Sequence, residues 1–314
     1  YGAIQLLGKM GGGSSHWTAW MPEDSEVVVR LRPSELANTQ FLKPVMEHPT
    51  LSKLVNSPPG DVGGIDEIGR ALNLTFRDID TLTVGGKFQG DALGNNKNAV
   101  IVVKTKTTFD PAKLDQATTF LTKETHNGKS VYVVKDAVPK ALLYPASSNT
   151  LVFGSDSEVR AAIDRNGSGP GSRFQLNDSS AQIYICSAPK DPSVLNDSAA
   201  SSPFGNSPFN SPFQMGGIQK TDMVSATIAL NFNTDAAVTI VSTYKDRLNS
   251  EAQTNQFKSE MDALKSQLGA SGGLLDPTAG LKNHVKTMLD GATVSVSGKT
   301  CTIKMTCLLY TSPS

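Results

Sequence analysis

Five carboxylates fall close together in the first third of the chain: Asp61, Asp66 and Glu67, then Asp78 and Asp80. Two such groups facing one another across a cleft could serve as general acid and base in a hydrolysis, or could hold a calcium ion. Their spacing does not follow the EF-hand loop, and acids at the ends of elements ordinarily cap helices or solvate strand edges. Capping is the preferred reading, and a hydrolase using Asp61, Asp66 or Asp78 between two lobes is the alternative. The four histidines are His16 in a Gly/Ser-rich run, His48 beside Pro49, His126 in a turn sequence and His284 on a polar helix side. None has a Cys, His or carboxylate at metal-ligand spacing, so surface and turn positions are expected and no zinc site. Gly167-Ser168-Gly169 lacks both the spacing and the strand-turn-helix setting of a nucleophile elbow. Gly85-Gly86 and Gly11-Gly12-Gly13 lack the residues of a phosphate loop or a dinucleotide fingerprint, and Gly85-Gly86 reads as a bulge or a close contact. No catalytic residue, cofactor or metal is therefore assigned.

What remains is binding. Ser-Pro-Phe occurs three times between Asn196 and Gly217, at Ser202-Pro203-Phe204, Ser207-Pro208-Phe209 and Ser211-Pro212-Phe213. Such a biased segment does not fold by itself and reads first as a loosely structured insertion at 196–217. Phe204, Phe209 and Phe213 are the candidate interaction residues, because exposed aromatics bind strongly where a partner or membrane surface offers a pocket. Lys+Arg and Asp+Glu are both 29, giving zero net charge, so no basic field exists to collect nucleic acid. Four Asn-x-Ser/Thr sequons, at Asn73, Asn166, Asn177 and Asn196, would matter only on a eukaryotic secretory route.

These residues must be positioned by strands and short helices. DSEVVVRLRP, Asp24 to Pro33, is a β-branched run stopped by proline, and it returns as SAQIYICSAP, Ser180 to Pro189. After the first copy, Ser34 opens short helical pieces limited by Pro44 and Pro49, and Ile65 to Leu72 forms an amphipathic helix. Asp80 to Phe88 and Ala99 to Thr107 read as strands joined by a turn-rich loop. Asp110-Pro111 is an N-cap and first-turn proline, predicting a helix with Leu114, Ala117, Phe120 and Leu121 on its buried side. Asn127-Gly128 is a tight turn leading into the strand Val131 to Val134, and Ala141 to Tyr144 and Thr150 to Phe153 make a further hairpin. Ser155 or Asp156 then caps a helix burying Val159, Ala162 and Ile163.

Gly167 to Ser172, GSGPGS, has linker composition. Beyond it the order recurs: strands Asp222 to Phe232 and Ala236 to Tyr244, then a long helix with Leu248, Ala252, Phe257, Met261, Leu264 and Leu268 as its apolar set. A further helix is expected around Leu281, Val285 and Leu289, then strands Thr293 to Ser297 and Thr300 to Thr306 joined at Gly298-Lys299. Cys186 and Cys301 lie in apolar strand patterns and read as two buried free thiols in preference to a disulfide.

Both ends look foreign to the fold. Tyr1 to Leu7, YGAIQLL, followed by GGGSS, is either the last turns of a signal peptide or anchor or a frayed end, with a membrane tether then expected upstream of Tyr1. Cys307 to Ser314, CLLYTSPS, resembles a translated sequencing-adapter read-through and is set aside from the fold. MPEDSEVVVRLRPSELANTQFLK, LNLTFRDIDTLTV, NAVIVVKTKTTFDPAKLDQ, NGKSVYVV and NTLVFGSDSEVRAAI together resemble, in order, bacterial predicted extracytoplasmic proteins of unknown function built from α+β repeats. The likeness covers Met21 to Ile163 and implies a location in the periplasm or cell envelope, with an N-terminal signal or anchor; it supplies no site residues.

The expected fold is α+β, with two related lobes, each a mainly antiparallel sheet with helices packed on one face. The lobes span 21–166 and 173–306, after an N-terminal segment 1–20 and around a linker at 167–172. The expected function is a non-enzymatic envelope binding or scaffold module presenting a surface to a protein or envelope component. A hydrophobic-ligand carrier is a further alternative and needs an apolar cavity between sheet and helices. Ligand, partner and oligomeric state are left open at this stage.

Overall fold

The computed structural model describes residues 18–39, 65–87, 99–170, 173, 174, 176, 178–191, 222–233, 235–270, 287 and 289–308. The chain divides into two compact units that meet in sequence between residues 176 and 177.

The first unit holds seven strands, β1 (Val27–Leu31), β2 (Ile79–Gly86), β3 (Val100–Thr105), β4 (Leu121–His126), β5 (Lys129–Val134), β6 (Ala141–Ser147) and β7 (Thr150–Ser155). They lie in the order β1-β2-β3-β7-β6-β5-β4, and each adjacent pair is antiparallel. Its helices are α1 (Pro33–Leu36), α2 (Ile65–Leu72) and α3 (Asp156–Asp164). Pro33, at the first helical position of α1, starts that helix one residue before the expected Ser34.

The helix expected after Asp110 does not form. Asp110 caps as expected, its Oδ1 accepting from Ala112 N at 2.9 Å, but the chain makes only a 3-10 turn over Pro111–Gln116 and then enters β4. Thr118, Thr119, Thr122 and Thr125 disfavour helix by their branched Cβ, and the Asn127-Gly128 turn recruits residues 121–126 as the first strand of its hairpin. Both turn residues have positive φ, 47° and 71°, as a two-residue primed turn requires. Leu114, Ala117 and Leu121 are nonetheless buried as expected, in a core with Ile68, Leu72, Tyr132, Leu143 and Leu151.

Helices cover both faces of this sheet, which corrects the one-face expectation. Tyr132, Leu143 and Phe153 are directly cross-paired and face α2 and the 3-10 turn. The opposite face carries Val28, Val100, Val131, Leu142 and Val152, all fully buried, together with Val159 of α3. Arg160 of α3 reaches Glu124, whose cross-strand partner is Val131, and this places α3 on that second face. The reason lies in the strands themselves: Val131-Tyr132-Val133-Val134 and Leu142-Leu143-Tyr144 are apolar at consecutive positions, so both faces must be removed from water. On the α3 side, Gly85 leaves room for Met21, which is fully buried; a Cβ at Gly85 would collide with the Met21 Sδ, so Gly85 marks a close contact and not a bulge. Gly167, at φ 72°, ends the α3 turn where a Cβ would come within 3.1 Å of the Trp20 ring.

The second unit holds β8 (Ile183–Ser187), β9 (Met223–Phe232), β10 (Asp235–Tyr244), β11 (Thr293–Ser297) and β12 (Thr300–Leu308), with α4 (Arg247–Ala270). Its strands lie in the antiparallel order β8-β9-β10-β12-β11. This is the order β1-β2-β3-β7-β6 of the first unit, with α4 in the connection that there supplies β4 and β5. Strand β12 continues through Cys307 and Leu308, whose backbones pair with Ala236 and Asp235, so the segment set aside contributes two positions to the ladder.

The buried stripe of α4 differs from the expected one. Leu248 is 77% exposed and Ala252 is exposed, whereas Ser250, Gln253, Thr254 and Phe257 are buried. Ser250 Oγ lies 2.8 Å from the carbonyl oxygens of Arg247 and Gly298, and Thr254 Oγ1 donates to Ser250 O, so the polar stripe is hydrogen-bonded. Phe257 completes a core with Ile240, Tyr244, Cys301 and Ile303.

Cys186 and Cys301 are both free and buried. They lie on β8 and β12 with β9 and β10 between them, three strand spacings or roughly 14 Å, beyond the reach of a disulfide. Burial pushes the Cys186 thiol up from 9.0 to about 12. Above about pH 9 the unfolded thiol ionises while the buried one does not, so the unfolded state holds fewer protons and stability falls as pH rises towards 12. With Cys307→Ser, the native chain is expected to show no fast-reacting thiol near neutral pH and two after denaturation; a fast native thiol would contradict their burial.

Candidate functional site

An open groove of about 620 Å³ lies in the first unit between the segment 72–78 and the segment 107–113. One wall follows the end of α2: Asn73 takes a left-handed φ of 55°, Leu74 N bonds to Gly69 O, and Thr75 begins the 3-10 turn Phe76–Asp78. The other wall is Thr107, Thr108, Asp110 and Lys113, all exposed. The walls are tied together by Lys106 N donating to Asp78 O at 2.8 Å, and Phe109 N donates to Ser148 O at 2.7 Å. Leu72, Leu74 and Phe109 line the groove from below as buried members of the core.

The two groove carboxylates already have partners in their own turns. Asp78 Oδ2 accepts from Thr75 N at 2.8 Å and from Thr75 Oγ1 at 2.6 Å, closing a capping box, and Asp110 caps Ala112. Lys113 makes no ion pair among the described residues and lines the groove with Thr107, Thr108 and Asn73. This is a hydrogen-bonding surface over an apolar floor. Such a surface can recognise a polar ligand.

Of the acids considered for hydrolysis, the structure places Asp78 alone in the groove. Asp61 lies outside the described residues, as do the side chains of Asp66 and Glu67 in α2. Asp80 is half-buried on β2 and does not line the groove. Phe204, Phe209 and Phe213 also lie outside the described residues, as do His16, His48, His284, Asn177 and Asn196. Ser168 follows α3 with its N bonded to Arg165 O, which is no elbow.

One cluster was invisible to spacing. His126 Nε2 lies 2.6 Å from Asp164 Oδ1, and Asn127 Nδ2 donates to the same oxygen at 2.5 Å. The partners are 38 and 37 residues apart in sequence, brought together because the β4–β5 turn reaches the last residue of α3. No third metal-ligating side chain accompanies them among the described residues, and the two bonds pin the turn to the helix end. Nearby, Arg160 binds Glu124 at 2.6 Å and Asp156 at 3.2 Å, and Lys140 reaches the same two acids. The Arg160 bond, with Lys140 behind it, holds Glu124 below the usual carboxylate range. Asp115, bonded by Lys123 and by the Tyr132 hydroxyl, is lowered in the same way. These are solvent-facing pairs of small energetic weight that fix β4, β5 and α3 in register.

No protein-family model matches the chain, and no curated protein does. Among solved structures it is similar to crystal form III of TP0453, with a TM-score of 0.45 and 8% identity over 95% of this chain and 96% of that one. Crystal form I of TP0453 gives 0.45 and 8% over 93% and 92%. The likeness is distant and carries no activity or ligand over to this chain. Among the described residues no helix is long and apolar enough to cross a membrane.

Proposed function

We propose that the chain is a non-enzymatic binding or scaffold module of the bacterial cell envelope, built from two related α+β units, that uses the groove of its first unit to hold a small polar ligand or the polar tip of a partner. The observation that carries this reading is the engagement of Asp78 and Asp110 as caps: both carboxylates of the groove accept bonds from their own turns. The relation between the units is supported by their shared strand order, and the envelope location by the sequence resemblance over Met21 to Ile163. A hydrophobic-ligand carrier finds no support in the first unit, where Leu72, Leu114, Tyr132 and Leu143 fill the layer between sheet and α2.

The mixture of hydroxyls, amide and ammonium over an apolar floor suits a ligand that both donates and accepts hydrogen bonds, so short oligosaccharides are the first probes. Titration of the full chain with such probes is expected to perturb Asn73, Thr107, Thr108 and Lys113 backbone resonances, and Lys113→Ala together with Thr108→Ala to weaken binding by about tenfold or more. Hydrolytic turnover of any probe by the wild-type chain, lost in Asp78→Asn or Asp110→Asn, would replace this reading with the enzymatic one.

A further inference from the structure

The second unit ends its sheet on β11, and among the described residues nothing pairs with that strand's outer edge. Its sequence, TVSVS, has no charge and no proline, and it meets β12 without a bulge. Thr293, Ser295, Val296 and Ser297 are exposed, and Val296 is one of three large apolar side chains that are exposed among the described residues. Edge strands that stay unpaired are ordinarily blunted by charge, proline or irregularity. Strand β4, which ends the sheet of the first unit, follows that rule with Lys123, Glu124 and His126. Strand β11 does not.

The first unit shows what this position in the fold accepts. There β6 stands where β11 stands in the second unit, and the sheet continues beyond it through β5, with Tyr132 opposite Leu143 and Val133 opposite Leu142. In the second unit the described part of that connection is α4, and among the described residues no strand stands where β5 stands in the first. Strand β11 is also complementary to itself. We propose that β11 pairs antiparallel with β11 of a second copy of this chain, about a two-fold axis at Ser295. Thr293 then lies opposite Ser297 of the second copy, and Val294 opposite Val296. Val294 and Val296 are cross-paired with Ile303 and Cys301, so both valines lie on the face covered by α4 and the hydroxyls on the other. Apolar therefore meets apolar and hydroxyl meets hydroxyl, in a closed isologous dimer that covers the exposed Val296.

Sedimentation of the full chain at micromolar concentrations is expected to show a monomer–dimer equilibrium. Val296→Lys should weaken it by about a hundredfold, because the lesion occurs twice in each dimer. Its side chain is exposed, so folding should persist, as circular dichroism would confirm. In a Cys307→Ser background, Ser295→Cys is expected to form a covalent dimer on mild oxidation, whereas Ser297→Cys, which faces Thr293, should not. A chain that stays monomeric, a dimer whose affinity ignores Val296→Lys, or equal cross-linking through positions 295 and 297 would each overturn the proposal. If Val296→Lys unfolds, the cysteine pair still decides.

Discussion

Phe257→Ala is expected to destabilise the second unit by about 3–5 kcal/mol, while Leu248→Ala on the same helix changes stability by no more than about 0.5 kcal/mol. Phe257 is buried against Ile240, Tyr244, Cys301 and Ile303, and its removal leaves a ring-sized cavity under α4 that the strands of the sheet cannot collapse to fill. The neighbours on its stripe, Ser250, Gln253 and Thr254, are polar, with Ser250 and Thr254 hydrogen-bonded, so no other side chain of that stripe compensates. Leu248 at 77% exposure has little to lose. Denaturant unfolding followed by far-ultraviolet circular dichroism checks both variants. Equal losses would mean that α4 is rotated about its axis from the orientation described here.

Leu143→Ala is expected to cost about 2–5 kcal/mol in the first unit. The side chain is 2% exposed, lies across from Tyr132 and Phe153, and packs in the core shared with α2 and the turn after Asp110. Trp20 stacks edge-on against Tyr144, the next residue along β6, with ring centroids 5.6 Å apart, so tryptophan fluorescence reports the unfolding of this unit directly. The midpoint in urea should fall with little change in slope. A shift corresponding to less than about 1 kcal/mol would show that the layer between sheet and α2 is loosely filled, and would reopen the case for a carrier of apolar ligands.

Elements whose signal is local were legible in the residues. The helix α2 has the expected bounds, Ile65–Leu72, and the Asn127-Gly128 turn, the β6–β7 hairpin and the buried set of α3 stand where patterning puts them. Two failures were failures of period. Residues 114, 117 and 121 fit a helical stripe, yet a 3-10 turn followed by a strand buries the same three side chains, so burial alone did not reveal the backbone between them. On α4, Leu248 and Phe257 are nine residues apart, which is two and a half turns and hence opposite sides of a helix. The stripe 250, 253, 254, 257 obeys the helical period, but it is polar and therefore gave no hydrophobic signal.

The candidate site was less legible still. Asp78 stood out as one of five carboxylates read first as capping or strand-edge acids, Asp110 was read only as an N-cap, and both are caps in the structure. That their turns line opposite walls of a groove, with Lys113 and Thr107 on the Asp110 side, depends on β2 pairing with β3, a contact between segments about twenty residues apart. His126 and Asp164 meet only because a hairpin and a helix pack on the same sheet.

By itself the sequence determined the class of fold, the position of most strands and the balance of charge. Those follow from side-chain period, turn chemistry and composition, which act over a few residues. Which face of α4 is buried, that the first sheet is covered on both sides, where the groove lies and that β11 ends the second sheet among the described residues were decided by tertiary structure. Each is a relation between surfaces distant along the chain, set by which strand becomes whose neighbour.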